Sequence, residues 1–172
     1  METFFNPLSV AIVGATEKPG SLPGIILKNL LSMGFKGKMY PVNPKYETVF
    51  GLNCFPSILD IPDEVALTVI AIPAPWVLDV LQQQAHKRIR HAIIISAGFR
   101  EKGAEGIEME ERIRRVAIEN DMRILGPNCL GVLDNYTNFT TSFLSWERVS
   151  IPKKGSLSIL SQSGAFAIAL LD

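Results

Sequence analysis

The chain is poor in residues that build metal, redox or proton-shuttling sites: its 172 residues hold two cysteines and two histidines. Cys54 and Cys129 stand far apart and match no metal or redox spacing, which suits structural thiols in a reducing compartment. Neither charge is in excess, since 17 Lys and Arg balance 17 Asp and Glu. That balance excludes a broad basic surface for nucleic acid or anionic lipid. Any anion must be held locally, by a few backbone amides and one or two cations. No apolar run approaches the roughly 18 residues that span a bilayer. The opening METFFNPLSVAIVG lacks a basic stretch followed by a long apolar run and a cleavage site, so it does not read as a signal peptide. Repeats and low-complexity tracts are missing as well. The expectation is a soluble, cytoplasmic domain without a metal site.

What is present is the balance of a packed protein, 47% hydrophobic and 20% charged. The length suffices for one domain with a proper core and is short for two. Short runs rich in Val and Ile alternate with longer stretches of helical period. The runs are SVAIV (Ser9–Val13), KMYPV (Lys38–Val42), LTVIAI (67–72), HAIIIS (91–96) and a shorter one at Arg123–Leu125. They are apolar on both faces, as strands buried between two helical layers are. Leu22, Ile25, Ile26, Leu30 and Met33 recur at helical spacing, with Gly34 where a C-terminal cap belongs. A second helix is expected over 75–87, with Trp76, Val77, Val80 and Leu81 as its buried stripe. A third, mostly charged, is expected over 105–120.

Strand and helix alternating with short connections predict an α/β fold: a Rossmann-like, doubly wound parallel sheet occupying residues 1–131. Residues 132–154 carry Asn, Thr, Ser and aromatics without a period and read as a connection. From 155 to 172, GSLSIL and SQSGAFAIALLD begin a second strand–turn–helix unit, whose helix is still running at Asp172. This last unit reads as the start of a second domain in a longer polypeptide.

The first strand runs into Gly14-Ala15-Thr16 and on through Gly20, Ser21 and Pro23 to the first helix. In a parallel sheet this turn faces the ligand crevice, where free helix amides and the helix dipole suit a pyrophosphate. A plain glycine-rich turn is the alternative. The spacing is wrong for the dinucleotide fingerprint, and the second strand ends in Pro41-Val42-Asn43-Pro44-Lys45, a cation where NAD needs a carboxylate. Lys45 suits a ligand with an extra ribose phosphate, either coenzyme A (CoA) or NADP, unless it is simply solvated.

Later strand ends add to the same edge. Pro73, Ala74 and Pro75 form a rigid apolar lip, and Ser96, Ala97 and Gly98 are small enough for a ligand to approach the backbone. The fifth strand leads into Gly126-Pro127-Asn128-Cys129-Leu130-Gly131. In the last unit Ser161, Gln162, Ser163 and Gly164 repeat the strand-to-helix logic with two hydroxyls, which suit either a phosphoryl group or ordinary helix capping.

The series VGAT, PGSLPG, YPVNPKY, IPAP, IIISAGF, ILGPNCLG and ILSQSGA, in this order, resembles the amino-terminal region of ADP-forming acetate–CoA ligases. It is similar also to the alpha subunit of succinyl-CoA synthetase, over essentially the whole chain. The resemblance implies a CoA-binding domain followed by the start of a flavodoxin-like one. It places CoA phosphates on Gly14, Ala15, Thr16, Gly20 and Ser21, and the adenosine-side phosphate on Lys45. Pro73, Ala74, Ser96, Ala97 and Gly98 would meet adenine and pantetheine. Asn128, Ser161, Gln162, Ser163 and Gly164 would hold an acyl phosphate or the phosphate of a phosphohistidine. The reaction implied converts acid, CoA and ATP into acyl-CoA, ADP and phosphate. Its phosphorylated histidine is expected beyond Asp172. Its ATP/ADP and Mg are expected outside these residues too, on further synthetase domains or an ATP-grasp beta subunit.

No catalytic residue is expected here. His86 and His91 match no motif and read as structural, and the chain alone is expected to be inactive. Three other readings fit parts of the sequence: a stand-alone regulatory CoA-binding module, the CoA-binding part of a protein acyltransferase, and an NADP-dependent oxidoreductase. Acyl substrate and the choice of ADP or GDP leave no trace in these residues.

Overall fold

The computed structural model describes residues 1–146 and 150–170. Its elements follow the chain as β1 (Ser9–Val13), α1 (Leu22–Met33), β2 (Lys38–Val42), β3 (Thr48–Val49), β4 (Leu52–Asn53) and β5 (Leu67–Ile70). Then come α2 (Val77–His86), β6 (His91–Ile94), α3 (Ala104–Glu119), β7 (Arg123–Leu125), β8 (Leu133–Asp134), β9 (Phe139–Thr140) and α4 (Gly164–Ala169). The five apolar runs form one parallel sheet in the order β2-β1-β5-β6-β7. The chain leaves β1 toward β2, then returns past β1 to β5. This reversal opens a crevice outside the carboxyl ends of β1 and β5.

Alternate residues of the strands feed two separate cores. Val10, Ile12, Leu67, Val69 and Ile93 pack with Ile26, Leu27 and Leu30 of α1. Ala11, Val13, Ile70, Ala92 and Ile94 pack on the opposite face with Val77, Val80 and Leu81 of α2 and Ile113 of α3. A sheet covered on both faces explains why its strands lack polar alternation. Gly34 caps α1 in the left-handed region (φ 70°), its amide reaching the carbonyls of Leu30 and Leu31.

Three features differ from the sequence expectation. Trp76 is 62% exposed, because α2 begins only at Val77 and Trp76 closes a tight 3-10 turn at Ala74–Trp76. It therefore lies outside the helical stripe formed by Val77, Val80 and Leu81. Residues 132–144, read as a connection, contain the β8–β9 hairpin and cover the α1 face with Val132 and a fully buried Phe139. Asn29 of α1 anchors them, its side-chain amide donating to the carbonyls of Ser142 (3.0 Å) and Leu144 (2.8 Å). Finally, residues 155–160 pair with no strand among the described residues. Leu157 and Leu160 are almost fully exposed, since a single strand without neighbours leaves both its hydrogen bonds and its apolar side chains unsatisfied. The helix expected to continue as far as Asp172 is α4, described over Gly164–Ala169. Asp172 itself, beyond which the phosphorylated histidine is expected, lies outside the described residues.

Candidate functional site

The sheet register puts the candidate residues on one edge. Val13 sits beside both Val42 and Ile70, and Ile70 beside Ile94, so the segments after these four strands leave the sheet together. Gly14 comes first. Its amide donates to Val42 at 2.8 Å, its φ is +94°, and a Cβ there would stand 2.7 Å from the Ala71 carbonyl oxygen. Only glycine lets β1 turn so close to β5.

The following loop is held from below by the segment after β2. The Asn43 side chain donates to the Ala15 carbonyl at 2.9 Å, and the Thr16 hydroxyl donates to Tyr46 Oη at 3.1 Å. Glu17 accepts from the Phe50 amide at 2.6 Å. Gly20 turns the loop at φ +76° with open space around it. Ser21 then takes the cap position of α1 in extended conformation, but its hydroxyl caps nothing. That hydroxyl oxygen is buried without a hydrogen-bond partner among the described residues. The head of α1 thus presents amides with no side-chain cap beside a hydroxyl without a partner among the described residues, groups whose chemistry suits an anion.

Lys45 lies on the outer side of this loop. Its amide donates to Asn43 Oδ1 at 3.0 Å, while its ammonium group makes no hydrogen bond or ion pair among the described residues. It borders an open depression of about 470 Å³, shared with Tyr46, Asn53 and Cys54.

Ser96 gathers the other three strand ends. Its hydroxyl accepts from the Ile72 amide at 3.1 Å, and its carbonyl accepts from the Asn128 amide at 2.9 Å. Ala74 and Gly98 face each other so closely that a Cβ on Gly98 would be 3.0 Å from the Ala74 Cβ. Pro73 and Ala97 are exposed at the rim. The Gly98 amide donates to Glu101, and this contact, followed by the amides of Glu101 and Phe99, holds the Glu101 carboxyl below its ordinary range.

The SQSG turn is brought to the same end of the sheet: a Cβ on Gly164 would lie 3.8 Å from that of Leu130. Its hydroxyls serve the turn itself. Ser161 Oγ donates to the Ser163 carbonyl (2.9 Å), and Ser163 Oγ accepts from the Phe166 amide (3.3 Å) as the cap of α4. Gln162 and Ser163 are exposed.

The histidines are elsewhere. His91 opens β6 and His86 closes α2, both at the amino edge of the sheet, opposite the crevice. Burial pushes both thiols up, Cys129 and Cys54 alike, which disfavours the thiolate form. Lys45 stands out in the sequence, whereas Asn43, Tyr46 and Glu101 do not. The only signal for them is their position beside the quoted motifs, because bonds between loops leave no periodic trace.

A doubly covered parallel sheet, a glycine-turned first loop and a crevice at the reversal of strand order define the class: an α/β nucleotide-binding domain. Residues 8–135 match the model of the CoA binding domain, and the chain belongs to that family. It is 43% identical over 173 residues to the ADP-forming acetate–CoA ligase II of Archaeoglobus fulgidus, covering 100% of this chain and 25% of that protein. With the alpha subunit of ADP-forming acetate–CoA ligase I of Pyrococcus furiosus it shares 40% identity, over 99% of this chain and 37% of the subunit. Among solved structures, the dinucleotide-forming acetyl-coenzyme A synthetase 1 of Ca. Korarchaeum cryptofilum, in complex with phosphate and ADP, superposes with a TM-score of 0.85. Identity there is 40%, over 99% of this chain and 35% of that one. The chain thus spans only 25% to 37% of the length of these relatives. Among the described residues no helix is long and apolar enough to cross a membrane.

Proposed function

We propose that this chain is the CoA-binding part of a cytoplasmic, nucleoside-diphosphate-forming acyl-CoA synthetase. The observation that carries the reading is the meeting of four strand ends at one crevice, in a chain whose family is that of CoA-binding domains. Gly14, Ala15, Thr16, Gly20 and Ser21 take the pyrophosphate, supported by the uncapped start of α1 and the unpartnered Ser21 hydroxyl. Lys45, its ammonium unpaired among the described residues, takes the phosphate on the adenosine ribose. Pro73, Ala74, Ser96, Ala97 and Gly98 line the path of adenine and pantetheine.

The SQSG unit belongs to the reading as well, since the acetate–CoA ligase of Archaeoglobus fulgidus matches 100% of this chain, this unit included. Asn128, Ser161, Gln162, Ser163 and Gly164 are proposed to steady a phosphoryl group in transit by polar contacts to its developing charge, on a turn whose Ser161 and Ser163 hydroxyls also hold its own backbone. We divide the chain accordingly into a CoA-binding domain (1–131), a connection (132–154) whose first part packs back on that domain as the β8–β9 hairpin, and the start of a second domain (155–172). On this reading the phosphorylated histidine lies beyond Asp172. ATP or ADP, Mg and the remaining synthetase domains or an ATP-grasp beta subunit likewise lie outside the 172 residues. Acid, CoA and ATP then give acyl-CoA, ADP and phosphate only when those parts are joined.

Two measurements test the reading together. CoA at saturating concentration raises the thermal midpoint of the chain, as any ligand that binds the folded state alone must. The same chain supplied with acetate, CoA and ATP-Mg makes no acetyl-CoA. An unmoved midpoint contradicts the binding assignment, and acyl-CoA synthesis by the chain alone contradicts the division of labour.

A further inference from the structure

Asn43 touches both halves of the phosphate-binding region through opposite ends of one amide. Its Nδ2 donates to the Ala15 carbonyl in the loop after β1, at 2.9 Å. Its Oδ1 accepts from the Lys45 amide at 3.0 Å, closing a turn around Pro44 that fixes where Lys45 begins. The backbone of Asn43 is itself anchored, its amide donating to Phe55 at 2.9 Å and its carbonyl accepting from the Cys54 thiol. Asn43 is therefore a fixed post, between the loop proposed for the pyrophosphate and the cation proposed for the ribose phosphate. Tyr46, one residue beyond Lys45, returns to the same loop through its hydroxyl contact with Thr16.

We infer that Asn43 is a positioning residue that sets the spacing between the two phosphate sites, and with it the preference for a nucleotide carrying an extra ribose phosphate. The inference rests on the CoA reading above. A loop amide and a lysine ammonium grip two phosphates of one rigid nucleotide only if their separation matches it. A long lysine stem on an untethered backbone would find many positions and spend the contact on ordering itself. With the Asn43 amide in place the Lys45 backbone is preset, and the ammonium searches a small volume beside the loop.

The test compares CoA with dephospho-CoA, which lacks the ribose phosphate, by calorimetric titration of the 172-residue chain and its variants. The unmodified chain binds CoA more tightly than dephospho-CoA, and Lys45→Ala sets the scale by bringing that ratio near one. Asn43→Ala removes both bonds. It collapses the ratio toward the Lys45→Ala value and weakens dephospho-CoA by about fivefold, the worth of one net hydrogen bond. Asn43→Ser keeps an acceptor for the Lys45 amide but is too short to reach Ala15, so it unties Lys45 from the loop and lowers the ratio part of the way toward the Lys45→Ala value.

A merely structural asparagine would lower the thermal midpoint and leave the ratio untouched in both variants, and that result overturns the inference. If Asn43→Ala does not fold, Asn43→Ser carries the test alone: an unchanged CoA to dephospho-CoA ratio overturns the inference, and a lowered ratio supports it. Failure of the unmodified chain to bind CoA overturns the parent reading, and is seen before any variant is made.

Discussion

The Ser96 hydroxyl accepts a hydrogen bond from the Ile72 amide at 3.1 Å and so ties the carboxyl end of β6 to that of β5. The bond replaces the backbone pairing that ends at Ile70 and Ile94, and it is buried with Ser96 only 7% exposed. Ser96→Ala leaves the Ile72 amide unpaired beside the crevice. The expected cost is about 1–2 kcal/mol of unfolding free energy, with weaker CoA binding, measured by denaturant titration and calorimetry.

Gly14 and Gly20 separate crowding from backbone strain. Both have positive φ, but a Cβ on Gly14 meets the Ala71 carbonyl and Ile72 Cγ2 at 2.7 and 2.8 Å, whereas Gly20 has nothing within 4 Å. Gly20→Ala should cost about 1 kcal/mol, the strain of a left-handed residue alone. Gly14→Ala should cost about 3 kcal/mol, because β1 and β5 must also part. Equal losses would mean that the close approach at Gly14 contributes nothing.

His91 gives the stability a dependence on pH. Burial, helped by the nearby amino terminus, holds its imidazole below the ordinary histidine range, and its ring meets Phe4 edge-on at 5.3 Å. The unfolded chain therefore binds the proton first, near pH 6.5. Stability from the neutral ring is complete above that value and declines as pH falls toward the folded-state pKa. Thermal midpoints should fall on acidification from about pH 7 to about pH 5, and His91→Asn should flatten that part of the profile.

Trp76 is a tryptophan that the fold does not need. At 62% exposure beside the crevice, its replacement by alanine should change unfolding free energy by less than about 0.5 kcal/mol. Val77→Ala, one residue on and fully buried, should cost about 1–3 kcal/mol. Comparable losses would place Trp76 in the core after all.

The sheet was legible because burial on both faces writes itself as unbroken runs such as SVAIV and HAII. The later strand ends could be assigned to one edge because parallel strands with crossovers allow no other arrangement. The β3–β4 hairpin was not legible. Its strands have two residues each, too few for any period, and its turn rests on Phe50 and Gly51, both at positive φ. Trp76 misled because an aromatic next to Val77 and Val80 satisfies the helical spacing, while the shift of the helix start depends on Pro73 and Pro75. Asn43, Tyr46 and Glu101 were missed for a different reason. Each acts by one or two bonds to a loop distant in sequence or folded back on itself, and such bonds follow from the assembled fold rather than from a pattern. The glycines and Lys45 stand out in the sequence because their chemistry is tied to their place after a strand.

The most direct test is a calorimetric titration of the 172-residue chain with CoA, with NADP titrated in the same buffer. Saturable binding of CoA with no heat from NADP is the predicted result. It would establish the crevice as a site for the CoA nucleotide rather than for any ribose-phosphate dinucleotide. Binding of NADP alone, or of neither ligand, would contradict the assignment of the crevice to CoA.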